Sequence, residues 1–266
     1  MADTYTHGHH ASVLRSHNWR TIENSAAYLE PELQAGRTLL DVGCGPGTIT
    51  NEFAGRLAPG AVIGLDVAAD VVAQAASTAA DAKIANVTYE VGDAYALRFD
   101  DDSFDIVHAH QVLQHVSDPV ALLRELGRVC RPGGTIAVRD ADYAAMSWYP
   151  ELPALDAWMA TYRAVAHHND ADPDAARKLL GWAHAAGYES ITPSATVWCF
   201  ATDADRQWWG GLWADRVRSS SLATQAVDYG IATTADLDAY AAAFNEWTAH
   251  PDSWFLVPNG ELLITV

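Results

Sequence analysis

Residues 39–57, LLDVGCGPGTITNEFAGRL, join an apolar run to a helical pattern through glycines at 43, 45 and 47. Glycine at such a junction allows a tight turn and lets a ligand approach the backbone closely, which is how a strand-to-helix turn holds part of a nucleotide. The spacing is G-x-G-x-G instead of the dinucleotide G-x-G-x-x-G, the sixth position being Thr48, and Asp41 stands two residues before Gly43. A carboxylate there repels a pyrophosphate but accepts hydrogen bonds from a cationic amine, so the pattern predicts a nucleoside without phosphates. Downstream, HAHQVLQHV carries His108, His110 and His115, imidazoles suited to taking a proton near neutral pH. His108 and His110 share a strand face. With no third ligand at suitable spacing, the expectation is no metal and a buried histidine that donates to a backbone carbonyl.

Those groups need a scaffold, and residues 37–142 alternate β-rich runs with helical patterns, as parallel strands joined by crossover helices do. Strands are predicted at 37–43, 61–67, 86–94, 104–111 and 134–142, as short, nearly continuous apolar runs covered on both faces. Ile49, Phe53 and Leu57, and then Val72, Ala75, Ala76 and Ala79, recur at helical spacing. Asp118-Pro119 opens the clearest helix, with Leu122, Leu126 and Val129 facing inward until RPGG ends it. Beyond residue 142, helices are predicted at 151–168 and 173–186 and a sixth strand at 191–202. A last β-rich piece follows, made of WFLV, the turn PNG and ELLITV, and residues 203–250 read as a helical lid between the last two strands. Residues 1–30 read as a leading helical segment that ends at Pro31.

Four motifs in order, DVGCGPG, GLD ending the second strand, GDA after the third and LRELGRVCRPGG before the fifth, resemble the class I S-adenosylmethionine-dependent methyltransferases. The likeness is nearest to the ubiquinone/menaquinone-biosynthesis-type (methyltransferase domain 11/25-like) branch and covers roughly residues 37–142. It implies an α/β fold, a Rossmann-like doubly wound seven-stranded sheet, mostly parallel with an antiparallel last strand, carrying helical lid insertions. The parts would be a helical lid segment (1–36), a cofactor-binding core (37–145) and the remaining strands with a Trp-rich lid at about 203–250 (146–266). The cofactor implied is S-adenosylmethionine, leaving as S-adenosylhomocysteine. Carried over by position, Gly43 and Gly45 would approach its methionine part with Asp41 orienting it, and Asp66 with Val67 would take the ribose. Gly92, Asp93 and Ala94 would hold the adenine, and His110 and Gln111 would border the methyl end. Each aspartate has an alternative as a helix cap or turn residue.

Methyl transfer needs mainly that two reactants be held in line, with an optional base, for which His115 and His110 are the candidates. For His115 the alternative is a packing or capping role before the helix at Asp118. Tyr5, His9, His10 and His17 in the leading segment, and Asp140, Asp142 and Tyr143 at the end of the fifth strand, are candidates to touch the acceptor. No Asn/Asp-Pro-Pro-Tyr run follows the fourth strand, so methylation of base or glutamine amino groups is not indicated, and oxygen or carbon is favoured. The three cysteines (44, 130 and 199) show no metal or thiol-cluster spacing, and neither lysine, 83 or 178, has a tyrosine four residues earlier. Seven of the ten tryptophans, at 182, 198, 208, 209, 213, 247 and 254, follow residue 180, suiting an apolar or aromatic acceptor or, alternatively, a lid core or subunit contact.

A formal charge of −18 with no Lys/Arg cluster excludes nucleic acid as substrate. No leader pattern or long apolar run is seen, so the expectation is a cytoplasmic protein with no membrane partner and a small-molecule substrate, homo-oligomerisation being open. The residues also leave room for an NAD(P)-dependent reductase or for a non-catalytic module that binds S-adenosylmethionine.

Overall fold

The computed structural model describes residue 6 and residues 11 to 266. Helix α1 (Ala11–Asn18) is followed by a π turn at Ile22–Ala26 and a 3-10 stretch at Ala27–Glu32, so the leading segment is broken and Pro31 lies inside its last piece. Thr21 restarts the chain there, its hydroxyl accepting from Asn24 N while Asn24 Oδ1 accepts from Thr21 N.

Strands β1 (Leu39–Val42), β2 (Val62–Asp66), β3 (Val87–Val91), β4 (Phe104–His110) and β5 (Cys130–Ala141) alternate with α2 (Thr48–Leu57), α3 (Ala69–Asp81) and α4 (Pro119–Val129). These five strands are parallel, in the order β3-β2-β1-β4-β5. Ile49, Phe53 and Leu57 of α2 bury against one face with Leu39 and Val62, while Leu122, Leu126 and Val129 of α4 bury against the other with Leu40 and Val107. Helix α4 starts where expected, the Asp118 carboxylate accepting from Ala121 N at 2.9 Å. It stops at Val129, and RPGG lies inside β5, which therefore begins four residues earlier than the sequence suggests.

A short β6 (Ser147–Tyr149) precedes α5 (Pro153–His168). In place of one helix over 173–186 there is a 3-10 turn at Ala175–Lys178 and then α6 (Leu179–Ala186), closed by Gly187 at φ 105°. Next come β7 (Ile191–Phe200), the lid helices α7 (Asp203–Ser219), α8 (Ser221–Asp228) and α9 (Thr234–Ala249), and β8 (Trp254–Thr265). The turn expected at PNG does not form. Asn259 and Gly260 pair with Ala141 and Asp140 of β5 on one side and with Thr196 and Ala195 of β7 on the other, and this double pairing holds turn-prone residues extended. Pro258, which has no N–H to give, sits just past the last β5 pair and accepts from Asp142 N.

β8 is antiparallel to both β5 and β7. β6 pairs with residues 254–256 of β8, continuing the edge along which β5 pairs with 259–265, so eight strands fill seven positions in the sheet. Arg139 of β5 lies opposite Glu261 of β8 and donates to it at 3.1 Å, while Ser194 of β7 donates to the same carboxylate at 2.8 Å. The lid helices share an aromatic core with α5 and β8, with Trp158, Trp213, Phe244, Trp247 and Phe255 buried. Among the described residues no helix is long and apolar enough to cross a membrane.

Candidate active site

The three turn glycines have φ of 71° (Gly43), 55° (Gly45) and 80° (Gly47), which L side chains resist. A Cβ on Gly43 would fall 2.4 Å from Val112 Cγ2, and one on Gly47 would fall 2.4 Å from the Tyr89 hydroxyl. At Gly45 the nearest atom would be His17 Nδ1 at 3.6 Å. The outer glycines are thus fixed by packing, and the middle one borders a cavity of about 350 Å³ along the carboxyl ends of β1, β2 and β4, where parallel sheets take ligands.

Asp66 ends β2 and accepts from Gly45 N and from Ala68 N, both at 3.0 Å, so it braces the turn as well as facing the cavity. Asp93 accepts from Tyr95 N at 2.9 Å, the local turn alternative, while also lining the cavity. Asp41 is buried, with one oxygen 2.7 Å from His108 Nδ1 and the other accepting the Thr50 hydroxyl at 2.5 Å. His108 therefore pairs with a carboxylate and not with the expected backbone carbonyl. Both Asp41 oxygens are committed inside the protein, tying β1 to β4 and α2 beneath the turn.

Gln111, just past β4, has φ 54°, an uncommon conformation for a non-glycine residue. It is held by its N–H on Arg139 O at 2.6 Å and by Arg20, which donates to its side-chain oxygen. Neither ring nitrogen of His110 has a hydrogen bond among the described residues, although the ring is buried and borders the cavity. Burial, helped by the charges of Arg20 and Arg139, holds this imidazole well below its ordinary pKa. His115 sits in a 3-10 turn (Leu113–His115) with Nε2 3.0 Å from the Gln114 amide nitrogen. An amide nitrogen only donates, so the imidazole accepts, and burial with the Arg20 charge pushes its pKa down to about 3. Both histidines are neutral at physiological pH.

One cavity brings together Asp41, Gly43, Gly45, Asp66, Val67, Gly92, Asp93, Ala94, His110, Gln111, His115 and Tyr143. Asp140 does not line it. Its side chain is fully buried behind the wall, accepting from Gln114 N at 3.0 Å, so it positions the 113–115 turn instead of facing an acceptor. Tyr5, His9 and His10 lie outside the described residues, whereas His17 lines the cavity beside the glycine turn. Trp198, Trp208, Trp209 and Trp213 form the far end, Trp247 belongs to the aromatic core under the lid, Trp182 of α6 packs against the core that holds α4, and Trp254 is half exposed.

Sequence reasoning missed Trp19, Arg20, Met146 and Arg216, all in the cavity wall. Trp19 meets Trp208 at 5.2 Å and Trp198 edge-on at 5.4 Å, docking the segment after α1 onto the lid. Arg216 donates to Ser12 O at 3.0 Å and to the Ser16 hydroxyl at 2.8 Å, clamping α1 to α7. In sequence, ADRVRS reads as an ordinary charged helix face, and nothing local marks Arg216 as buried.

The family model described as "Methyltransferase domain" matches residues 33–202. An uncharacterised methyltransferase of Schizosaccharomyces pombe is 34% identical over 268 residues, 97% of this chain and 95% of that protein. A ubiquinone/menaquinone biosynthesis C-methyltransferase of Bdellovibrio bacteriovorus is 35% identical over 105 residues, 40% of this chain and 44% of that protein. The fold resembles the crystal structure of the YcgJ protein of Bacillus subtilis, with a TM-score of 0.58, 22% identity and coverage of 90% of this chain and 98% of the other.

Proposed function

The chain belongs to the methyltransferase-domain family and is an S-adenosylmethionine-dependent methyltransferase, and from that premise we propose that its acceptor is a small, largely apolar or aromatic metabolite, methylated at oxygen or carbon instead of nitrogen. The residues present suit the cofactor: a turn glycine bordering the cavity, two aspartates along the rim, and a buried histidine whose nitrogens have no partner among the described residues. When bound, S-adenosylmethionine supplies a methyl group on a cationic sulfur, already activated toward displacement.

In this proposal Asp66 and Val67 hold the ribose, and Gly92, Asp93 and Ala94 hold the adenine. Gly43, Gly45 and Gln111 border the methionine part, and Asp41 fixes the floor beneath them through His108 and Thr50. Trp198, Trp208, Trp209 and Trp213 exclude water from the acceptor end. Orienting the two reactants can supply about 7–11 kcal/mol of the barrier, so a strong base is not required. His115 and His110, both neutral, serve as hydrogen-bond partners of the acceptor; a group with a pKa of about 3 has little drive to take its proton.

The observation that carries the proposal is continuity: a single cavity runs from Asp93 at the cofactor end to Trp213 at the aromatic end. Carbon or oxygen is favoured because, among the described residues, the carboxylates in the wall, Asp41, Asp66 and Asp93, all stand at the cofactor end, with none beside the indoles to receive an amine. The test is calorimetric titration with S-adenosylhomocysteine and with NADP, followed by mass-spectrometric detection of S-adenosylhomocysteine released with a panel of phenols, carbon acids and amines. Binding with turnover on a phenol or carbon acid supports the assignment. Binding without turnover on any small molecule would favour a non-catalytic module, and turnover on amines alone would reverse the choice of atom.

A further inference from the structure

Two residues beside the cavity break the rules of their local structure, and they meet. Asn259, a turn-former, is 1% exposed in the middle of β8, paired with Ala141 of β5 and Thr196 of β7, where asparagine is disfavoured. Gln111 leaves β4 at φ 54°, a conformation that costs a non-glycine residue free energy. The side-chain nitrogen of Gln111 donates to Asn259 Oδ1 at 3.4 Å, while Arg20 donates to the Gln111 side-chain oxygen. Asn259 in turn uses its own nitrogen on Val257 O, at 2.8 Å. This chain of donors and acceptors runs in one direction only. Turning over the Asn259 amide would set nitrogen against the Gln111 nitrogen and oxygen against Val257 O. Turning over that of Gln111 would set its nitrogen against the Arg20 guanidinium. Departures from local preference that interlock in this way belong to a site being held in place. Gln111 lines the cavity, and Asn259 stands behind it.

We propose that Asn259 is a positioning residue, which locks the Gln111 carboxamide so that its second Nε2 hydrogen is offered to the carboxylate of the cofactor's methionine part. An amide nitrogen only donates, which suits a carboxylate and not the ammonium group beside it. With its oxygen already engaged by a cation, the nitrogen is what this side chain has to offer a ligand. Residue 20, the end of β4 and the middle of β8 thereby set one hydrogen-bond direction at the cavity wall. The PNG triplet, which makes no turn, gains a physical reason from the same contact. Asn259 supplies the acceptor that fixes Gln111, and a Cβ on Gly260 would fall 2.8 Å from Ala176 O, so its neighbour is held by packing.

This inference rests on the transferase assignment above, and its test needs no methyl acceptor. Calorimetry on the full chain compares S-adenosylhomocysteine with 5′-methylthioadenosine, which keeps the nucleoside and the thioether but lacks the amino-acid part. Asn259→Leu should weaken S-adenosylhomocysteine binding by about fivefold, as for one hydrogen bond lost, and leave 5′-methylthioadenosine unchanged. Asn259→Asp, whose protonated form reproduces both bonds, should keep most of the S-adenosylhomocysteine affinity. In a Gln111→Met background Asn259→Leu should bring no further loss, because it acts only through that side chain. Parallel weakening of both ligands, an unchanged S-adenosylhomocysteine affinity in Asn259→Leu, or a further loss in the Gln111→Met background would overturn the proposal. Should circular dichroism show that Asn259→Leu does not fold, Gln111→Glu decides. Replacing the donor by an oxygen should then cut S-adenosylhomocysteine affinity by about tenfold or more while sparing 5′-methylthioadenosine, and a retained affinity would overturn the assignment of the carboxylate. If the unaltered chain binds neither nucleoside, the transferase assignment falls and this proposal with it; if it binds both and the variants show no selective loss, only the proposal falls.

Discussion

Asp66 has two duties, bracing Gly45 and facing the cavity. Replacing it by alanine should weaken S-adenosylhomocysteine binding by about 1–3 kcal/mol, the loss of a charge-assisted hydrogen bond. Calorimetry checks this, and unchanged affinity would mean that the ribose lies elsewhere. The two cavity histidines carry a different expectation. Burial lowers the His115 pKa from 6.5 to about 3, so between those values the unfolded chain binds the proton that the folded chain refuses, and stability falls as pH drops through this window. His110 acts in the same direction. Turnover should show no histidine ionisation between about pH 6 and 8, and a step near pH 6.5 that disappears in His115→Ala would restore it as the base. Asp140 runs opposite. Burial raises its pKa from 3.8 to about 8, so the folded chain keeps a proton that the unfolded chain has lost, and stability falls as pH rises toward and through 8. In Asp140→Asn the decline in Tm between about pH 6.5 and 9 should be visibly smaller than in the unaltered protein.

At the scale of elements, the acceptor wall depends on how closely α7 meets α9. A Cβ on Gly210 would fall 1.8 Å from the Thr248 hydroxyl and 3.2 Å from Phe244 O, so glycine is what lets these helices touch. Gly210→Ala should therefore destabilise by about 1–3 kcal/mol through overpacking, although alanine is the better helix former. Urea unfolding measures the loss, and S-adenosylhomocysteine affinity should be kept because Gly210 lies outside the cavity wall. This division also explains what could be read in the sequence. The cofactor half is built from local signals at fixed spacing, turn glycines after β1 and an acid at the end of β2, each of which follows from one strand-to-helix connection. The acceptor half is assembled by packing between distant segments: Arg216 reaches Ser16 across 200 positions, and no local pattern records that meeting. PNG failed as a turn signal for a related reason, since the two strands flanking β8 outweigh the preference of three residues. Asp140 stood at the correct sheet edge, but the Gln114 amide, which accounts for its burial, comes from a different loop.

Across the whole molecule, the cavity is lined by three parts of the chain: the segment through α1, the sheet edge and the lid. Ser16, His17, Trp19 and Arg20 form one side of it. Saturation with S-adenosylhomocysteine should slow amide exchange across residues 11–20, and exchange as fast as in the free protein would mean that the segment takes no part in enclosure. The sheet also has a consequence for assembly. β5 and β7 are neighbours only through β8, which slots between them after three lid helices. Shifting β8 by one residue would turn the Glu261 carboxylate to the opposite face and leave the buried Arg139 guanidinium without its carboxylate. The ion pair thus works as a tooth in a ratchet: misthreaded alignments are rejected during folding, and the rim that later grips the ligand is cast in a single alignment.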